Sequence, residues 1–322
     1  MRRGAAGTRV AHGLGELPAG LGPTVATVGM FDGVHRGHQA LLRRVVAEAA
    51  ARDALPVSVT FDRHPFEVLR PADAPALLCT LAERVELLGA AGMGLVLVLE
   101  FTQELSQVTA EDFAEGFLFG AVAARAVVVG ENFRFGNRAK GDVALLAALG
   151  AERGIDAIGV GLHADERGEV VSSTRVRAEL ARGDVRAAAD SLGRPYAVSG
   201  RVVRGDGRGR ALLGVPTANL EVGGRIALPA FGIYAGRLSV DGGAPLPAAV
   251  NVGVSPQFAG GEARVEAHLL DFDGDLYGRE VAVSFEHRLR GEQTFPGIDE
   301  LVAQIRQDIR EIRRLLGVPT RS

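Results

Sequence analysis

Apolar residues in the first half of the chain fall in short blocks separated by longer amphipathic stretches. Val25–Gly29 is an apolar run ending in glycine, and Leu41, Leu42, Val45, Val46 and Ala49 then repeat at helical spacing. Pro56–Phe61 reads as the next strand, Leu81–Leu88 as a helix and Leu95–Phe101 as a fully buried strand. Phe113–Val122 and Val143–Arg153 read as helices, Ala126–Gly130 and Ile155–Gly161 as strands. Short apolar runs joined by helices predict a doubly wound α/β domain, its parallel sheet covered on both faces. Ligands are then expected where loops leave the carboxyl ends of the strands.

After the helix beginning near Thr174 the texture changes. Val198–Val203, Thr217–Glu221, Ile233–Leu238, Ala248–Val254, Val265–Leu270 and Glu280–Phe285 are short, often alternating, and broken by Gly, Asp and Pro. They predict a six-stranded antiparallel β-barrel. Ile298, Leu301, Val302, Ile305, Ile309, Ile312 and Leu316 form one apolar stripe of a terminal helix. Asp299 and Glu300 near its start, with Arg313 and Arg314 near its end, complement its dipole. The expected domains are residues 1–183 and 184–322.

With 322 residues, 47% hydrophobic and 23% charged, the chain has apolar mass for two cores. No run approaches the roughly 20 apolar residues of a bilayer span, and no apolar block follows the basic N-terminus. A cytoplasmic protein without a membrane partner is expected. A single cysteine, Cys79, excludes an intramolecular disulfide. Up to residue 183 there are 19 basic and 22 acidic residues, leaving 36 − 19 = 17 and 39 − 22 = 17 beyond it. Neither half has the positive excess that a nucleic-acid backbone demands.

Chemistry enters where the first strand runs into Met30-Phe31-Asp32-Gly33-Val34-His35-Arg36-Gly37-His38 and a helix begins. A helix N-terminus offers free N–H groups and a positive dipole end to phosphate. Gly33 and Gly37 let the backbone approach an anion, and His35 and His38 can face one phosphate across the first turn. As imidazolium ions they would neutralise charge on a departing pyrophosphate. The bland alternative is a tight turn with two exposed histidines. Val171-Ser172-Ser173-Thr174-Arg175 offers hydroxyls and a guanidinium at another helix start, either as an ordinary cap or as the second jaw of a triphosphate clamp.

Thr27–Gly33 with His35-Arg36-Gly37-His38, then Thr60-Phe61-Asp62-Arg63-His64-Pro65, Val129–Gly136 and Ser172–Arg175, resemble the nucleotidyltransferase module of bacterial bifunctional riboflavin kinase/FAD synthetases. The resemblance implies a Rossmann-like domain in which the phosphate of FMN attacks the α-phosphorus of ATP, giving FAD and pyrophosphate. It implies that His35 and His38, with Arg175, are catalytic. Gly29, Phe31, Gly33, Ser173 and Thr174 would bind ATP beside them, and Asp62, His64, Asn132, Phe133 and Phe135 would line the flavin. Core packing is the alternative for the two phenylalanines, and a structural turn for Asp62 and His64.

In the second half, Pro216-Thr217-Ala218-Asn219 follows a glycine-rich loop containing Gly209. Thr217 and Asn219, two apart at a strand start, point to one side and suit Mg²⁺ bridging ATP phosphates. Glu266 and His268 share one face of a strand, where a carboxylate at the barrel mouth could accept a hydroxyl proton. These segments, with Asn251-Val252-Gly253 and Arg288–Phe295, resemble the riboflavin kinase module of the same family. The resemblance implies that Gly209, Thr217 and Asn219 hold Mg·ATP, that Glu266 activates the riboflavin 5′-hydroxyl, and that Arg288 and Glu292 contact flavin. The implied partners are riboflavin, FMN, FAD and ATP, with self-association weak if present. Ser255-Pro256-Gln257-Phe258 departs from the Arg and Thr common around that proline, and Val215 from an aromatic before Pro216. Adenylyl transfer alone and a silent flavin carrier are the competing readings. The run Asp271–Asp275 lacks calcium-loop spacing and reads as a hairpin turn.

Overall fold

The computed structural model describes residues 2–3, 7–204, 217–254 and 263–319. Gly209, Val215, Pro216 and Ser255–Phe258 lie outside the described residues. The chain divides into two compact units, Met1–Ser173 and Thr174–Ser322, a division that falls before the boundary expected at residue 183. The helical segment between these positions goes with the barrel, as the Ala230 N–H donating to the Leu180 carbonyl at 2.9 Å illustrates.

The first unit holds strands β1 (Arg2–Arg3), β2 (Arg9–His12), β3 (Thr24–Val28), β4 (Leu55–Phe61), β5 (Leu95–Leu99), β6 (Ala124–Gly130) and β7 (Asp156–Val160). They form one sheet in the order β1-β2-β5-β4-β3-β6-β7, parallel from β2 to β7, with β1 antiparallel at the edge. The helices are α1 (Arg36–Ala51), α2 (Pro65–Leu69), α3 (Leu81–Ala90), α4 (Gln103–Gln107), α5 (Ala110–Asp112, running into a π-helix over Phe113–Ala121) and α6 (Val143–Ala151).

Alternate residues of each central strand serve opposite cores. Val28, Val59, Leu97 and Val129 pack with Phe113, Leu118 and Leu146 on one face. Val25, Val96, Val98, Ala126 and Val128 pack with Leu42, Val45 and Leu88 on the other. All five residues of β3 and of β5 are buried, which is why they read as continuous apolar runs. Strand order reverses beside β3, whose next strands in sequence lie on one side and β6 on the other, so the crevice beyond its carboxyl end is the expected ligand position.

The second unit begins with α7 (Ser173–Ala181, whose first residue belongs to the first unit) and α8 (Val185–Leu192). Strands β8 (Tyr196–Val203), β9 (Ala218–Glu221), β10 (Gly232–Val240), β11 (Leu246–Val254), β12 (Ala263–Leu269) and β13 (Glu280–Arg290) close a barrel in the order β10-β11-β12-β9-β8-β13. Tyr234, Leu238, Val250, Val265, Ala267, Val283 and Phe285 fill its interior. The terminal helix α9 (Ile298–Leu316) lays Ile309, Ile312 and Leu316 on the outer wall against Ile233, Ala235 and Ala249. No helix among the described residues is long and apolar enough to cross a membrane.

Candidate functional site

The turn beyond β3 is strained and firmly braced. Phe31 and Val34 adopt left-handed φ values of 49° and 39°, which L-residues avoid, and Gly33 sits at 74°. The buried Asp32 carboxylate accepts the Leu78 N–H at 2.8 Å, and the Gly33 N–H donates to Cys79 Sγ at 3.3 Å. Ser173 Oγ donates to the Asp32 carbonyl at 2.9 Å, bringing the start of α7 to the turn, and Gln39 Nε2 donates to the Val34 carbonyl at 2.9 Å. Burial, followed by the nearby Asp32 charge, pushes the Cys79 thiol up to about 11, so it is an uncharged prop.

His35 is the N-cap of α1, its Nδ1 accepting the His38 N–H at 3.4 Å. The two imidazoles stack with centroids 3.7 Å apart and planes 22° apart, and the edge of Phe31 meets His38 at 5.3 Å. Burial, then the neighbouring His35 and Arg84, hold the His38 pKa well below the usual 6.5. The neutral imidazole is therefore the resting form, in contrast to the imidazolium that the sequence suggested. Among the described residues, the enclosed His38 Nδ1 has no hydrogen-bond partner.

The neighbouring loops present the other predicted residues with mixed outcomes. Asp62, beyond β4, accepts the Phe101 N–H at 2.8 Å and the Arg63 guanidinium at 2.6 and 2.8 Å. Burial raises its pKa, but these hydrogen bonds outweigh it and hold the carboxyl below its ordinary value. His64 caps α2, its Nδ1 accepting the Phe66 N–H at 3.1 Å within a capping box completed by Glu67. Asn132 is exposed beyond β6. Phe133 is half-buried and stacks on Phe135 at 5.3 Å, while Phe135 belongs to the core beside Phe113. Thr174 and Arg175 lie in the first turn of α7, where Arg175 Nε pairs with the buried Glu179 at 2.8 Å.

In the barrel, register aligns residues that sequence reading held apart. Asn219 pairs with Glu266, Glu266 with Asn251, Asn251 with Ile233, and Ile233 with Arg290. Directly paired residues share a face, so these five form a row around the outer wall rather than at the barrel mouth. Asn219 is buried, at 7% exposure. A cavity of about 900 Å³ opens over the row, lined by Thr217, Asn251, Glu266, His268 and Glu292 and closed by Leu301, Ile305 and Asp308 of α9. The terminal helix thus does more than pack. Glu292 reaches across Gly253, where a Cβ would collide with its carboxylate. Arg288 is not part of this cavity: it donates to the Phe231 carbonyl at 3.0 Å and lines a separate hollow.

Four site residues were not singled out from sequence. Asp32 stood inside the quoted motif, and only its buried hydrogen bond shows its part. Arg84, Arg290 and Asp308 lie in ordinary helix or strand patterns. Their signal is three-dimensional: Arg84 is fully buried, and Arg290 pairs with Asp308 at 2.7 Å above the cavity.

A Rossmann-like unit with a histidine-bearing strand-to-helix turn, followed by a closed barrel with a carboxylate on its outer row, is the architecture of a nucleotide- and phosphate-transferring enzyme. Residues 18–175 match the family model described as FAD synthetase, and residues 192–316 match that of riboflavin kinase. A bifunctional riboflavin kinase/FMN adenylyltransferase of Escherichia coli (strain K12) is 39% identical over 308 residues, covering 95% of this chain and 96% of that protein. The protein of the same name from Pseudomonas fluorescens is 39% identical, covering 90% and 92%. A solved structure described as a macrolide-efflux protein from Streptococcus pneumoniae is 31% identical with a TM-score of 0.85, covering 95% and 98%. The chain belongs to the bifunctional riboflavin kinase/FMN adenylyltransferase family. It phosphorylates riboflavin to FMN and transfers the adenylyl group of ATP to FMN, giving FAD.

Proposed function

We propose that the phosphate turn and the barrel row are the two sites of these reactions, and that Mg²⁺ accompanies ATP at the second. In the first, the N–H groups opening α1 and the imidazoles of His35 and His38 bind the ATP phosphates, with Gly29, Phe31 and Gly33 shaping the approach. Ser173 closes over them, a reading that its hydrogen bond to the turn supports. Asp62, Asn132 and Phe133 present the FMN, whose phosphate oxygen attacks the α-phosphorus while pyrophosphate departs into the turn. His64 shapes that loop as a cap, and Phe135 backs Phe133 from the core.

At the barrel, Glu266 accepts the proton of the riboflavin 5′-hydroxyl as its oxygen attacks the γ-phosphorus, and Glu292 orients the flavin across the cavity. The Thr217 hydroxyl at the cavity and the amide oxygen of Asn219, register partner of Glu266, are hard oxygen donors that fit Mg²⁺. Such an ion neutralises phosphate charge when it arrives with ATP; among the described residues no cluster of three acidic or metal-binding side chains would cage it alone. The register row Asn219–Glu266–Asn251 beneath a flavin-sized cavity is the observation that carries the reading. The reading includes a cytoplasmic enzyme, where ATP is supplied.

Chromatography of flavins tests it. Riboflavin with ATP and Mg²⁺ is expected to yield FMN and then FAD, and FMN in a parallel tube to yield FAD. Withholding Mg²⁺ is expected to stop FMN formation. FAD from FMN alone would leave an adenylyltransferase with a degenerate barrel.

A further inference from the structure

Arg84 is fully buried on α3, behind the phosphate turn. Its NH1 donates to the Phe61 carbonyl at 2.7 Å and to Thr60 Oγ1 at 3.3 Å, with Met30 Sδ at 4.0 Å. Thr60 Oγ1 in turn donates to the Met30 carbonyl at 3.2 Å, so the guanidinium braces the entry to the turn from below. Among the described residues, its Nε and NH2 have no acceptor.

A guanidinium keeps its charge at every physiological pH, and burying one without a carboxylate is costly. The acids that share its surroundings are occupied elsewhere: Glu83 accepts from the Thr80 N–H and hydroxyl, and Asp32 from the Leu78 N–H. Cys79, the remaining titratable group behind the turn, is uncharged. Among the described residues, the charged or chargeable groups whose fields lower the His38 pKa are His35 from its own helix start and Arg84 from α3.

We propose that Arg84 is a positioning residue of FMN adenylylation, a permanent buried cation whose field reaches the triphosphate and the departing pyrophosphate through His38. In this arrangement His38 stays neutral and hydrogen-bonds the phosphate, while the positive charge comes from a group that water never screens. The proposal rests on the reading of the His35–His38 turn as the ATP site.

The test compares Arg84→Gln, Arg84→Lys and His38→Ala in the full-length chain, reading kcat and KM for ATP in FAD formation against pH. FMN formation from riboflavin by the same preparations reports that each is folded. Removing the charge weakens the penalty on a protonated His38. Arg84→Gln is thus expected to lower kcat by about tenfold to a hundredfold and to move the acid limb to higher pH. Arg84→Lys keeps the charge and should keep the acid limb and most of kcat. Equal impairment of both variants would reduce Arg84 to a neutral brace, and wild-type behaviour of Arg84→Gln would remove its role. Either result overturns the proposal while leaving the ATP site in place. Unchanged FAD formation by His38→Ala would instead overturn the site reading itself. Should Arg84→Gln not fold, an NMR titration of labelled histidine in the unmodified protein decides. Titration of the His38 ring at 6.5 overturns the proposal; with the ring neutral well below 6.5, retention of kcat by Arg84→Lys supports it and loss of FAD formation in that variant overturns it.

Discussion

A Cβ at Gly37 would sit 3.0 Å from His35 Cε1 and 3.1 Å from its Nδ1, with the Val171 carbonyl at 3.3 Å. The glycine is what lets the His35 ring fold back to cap α1 and stack on His38. Gly37→Ala is therefore expected to cost FAD formation about tenfold through misplacement of the imidazoles. Riboflavin phosphorylation by the same chain should be untouched; FAD formation at the normal rate would make the stack incidental. His38 also ties stability to pH. Its folded pKa lies below the unfolded 6.5, because of burial first and then His35 and Arg84. Below 6.5 the unfolded chain takes up a proton that the folded chain refuses, so this contribution is full above that pH and is lost as the pH falls. Melting curves from neutral to acidic pH should show a steeper loss for the unmodified protein than for His38→Gln; parallel curves would mean that His38 titrates normally.

At the scale of elements, α9 is both a wall of the barrel cavity and a strut. Asp308, 7% exposed, accepts from Arg290 at 2.7 Å and from Gln304 at 2.8 Å, while the Arg290 guanidinium lies 5.8 Å over the Phe295 ring. Asp308→Ala leaves Arg290 half-buried and unpaired, which should cost about 3 kcal/mol of stability to the barrel unit. It should also raise KM for riboflavin more than KM for ATP, since Asp308 and Arg290 line the cavity, and steady-state kinetics with each substrate varied would show it. The apolar stripe that builds α9 was legible in sequence, as were the central strands, because β3 and β5 are buried on both faces and read as unbroken runs. The shorter elements β1, β2, α2, α4 and α8 were not. Arg9–His12 is a short edge-side strand with polar ends, and Val185–Leu192 is a single amphipathic stretch close to the expected domain boundary. The site was legible where backbone chemistry shows in residue type, as in the glycines and histidines of the turn. Register and burial were not, so Glu266 was expected at the barrel mouth and the Arg290–Asp308 pair, 18 residues apart, went unseen.

At the scale of the molecule, two reactions share one intermediate, because FMN is the product of the barrel and the substrate of the α/β unit. Neither half of the sequence carries a basic excess, with 19 basic against 22 acidic residues up to 183 and 17 against 17 after it. A dianionic FMN released from the barrel therefore meets no broad positive field that would confine it near the chain that made it. Two single-site variants turn that into a measurement. His38→Ala is expected to stop at FMN, and Glu266→Ala to convert supplied FMN to FAD yet leave riboflavin untouched. Mixed in one tube with riboflavin, ATP and Mg²⁺, the pair should produce FAD after a lag that shortens as the concentration of either protein rises, because FMN must accumulate in solution before the second chain binds it. Flavin chromatography over time reads both the lag and the FMN that precedes it. A mixture that accumulates FMN and never forms FAD, while the Glu266→Ala chain alone still accepts added FMN, would mean that the intermediate is withheld from solution and passes within a single chain.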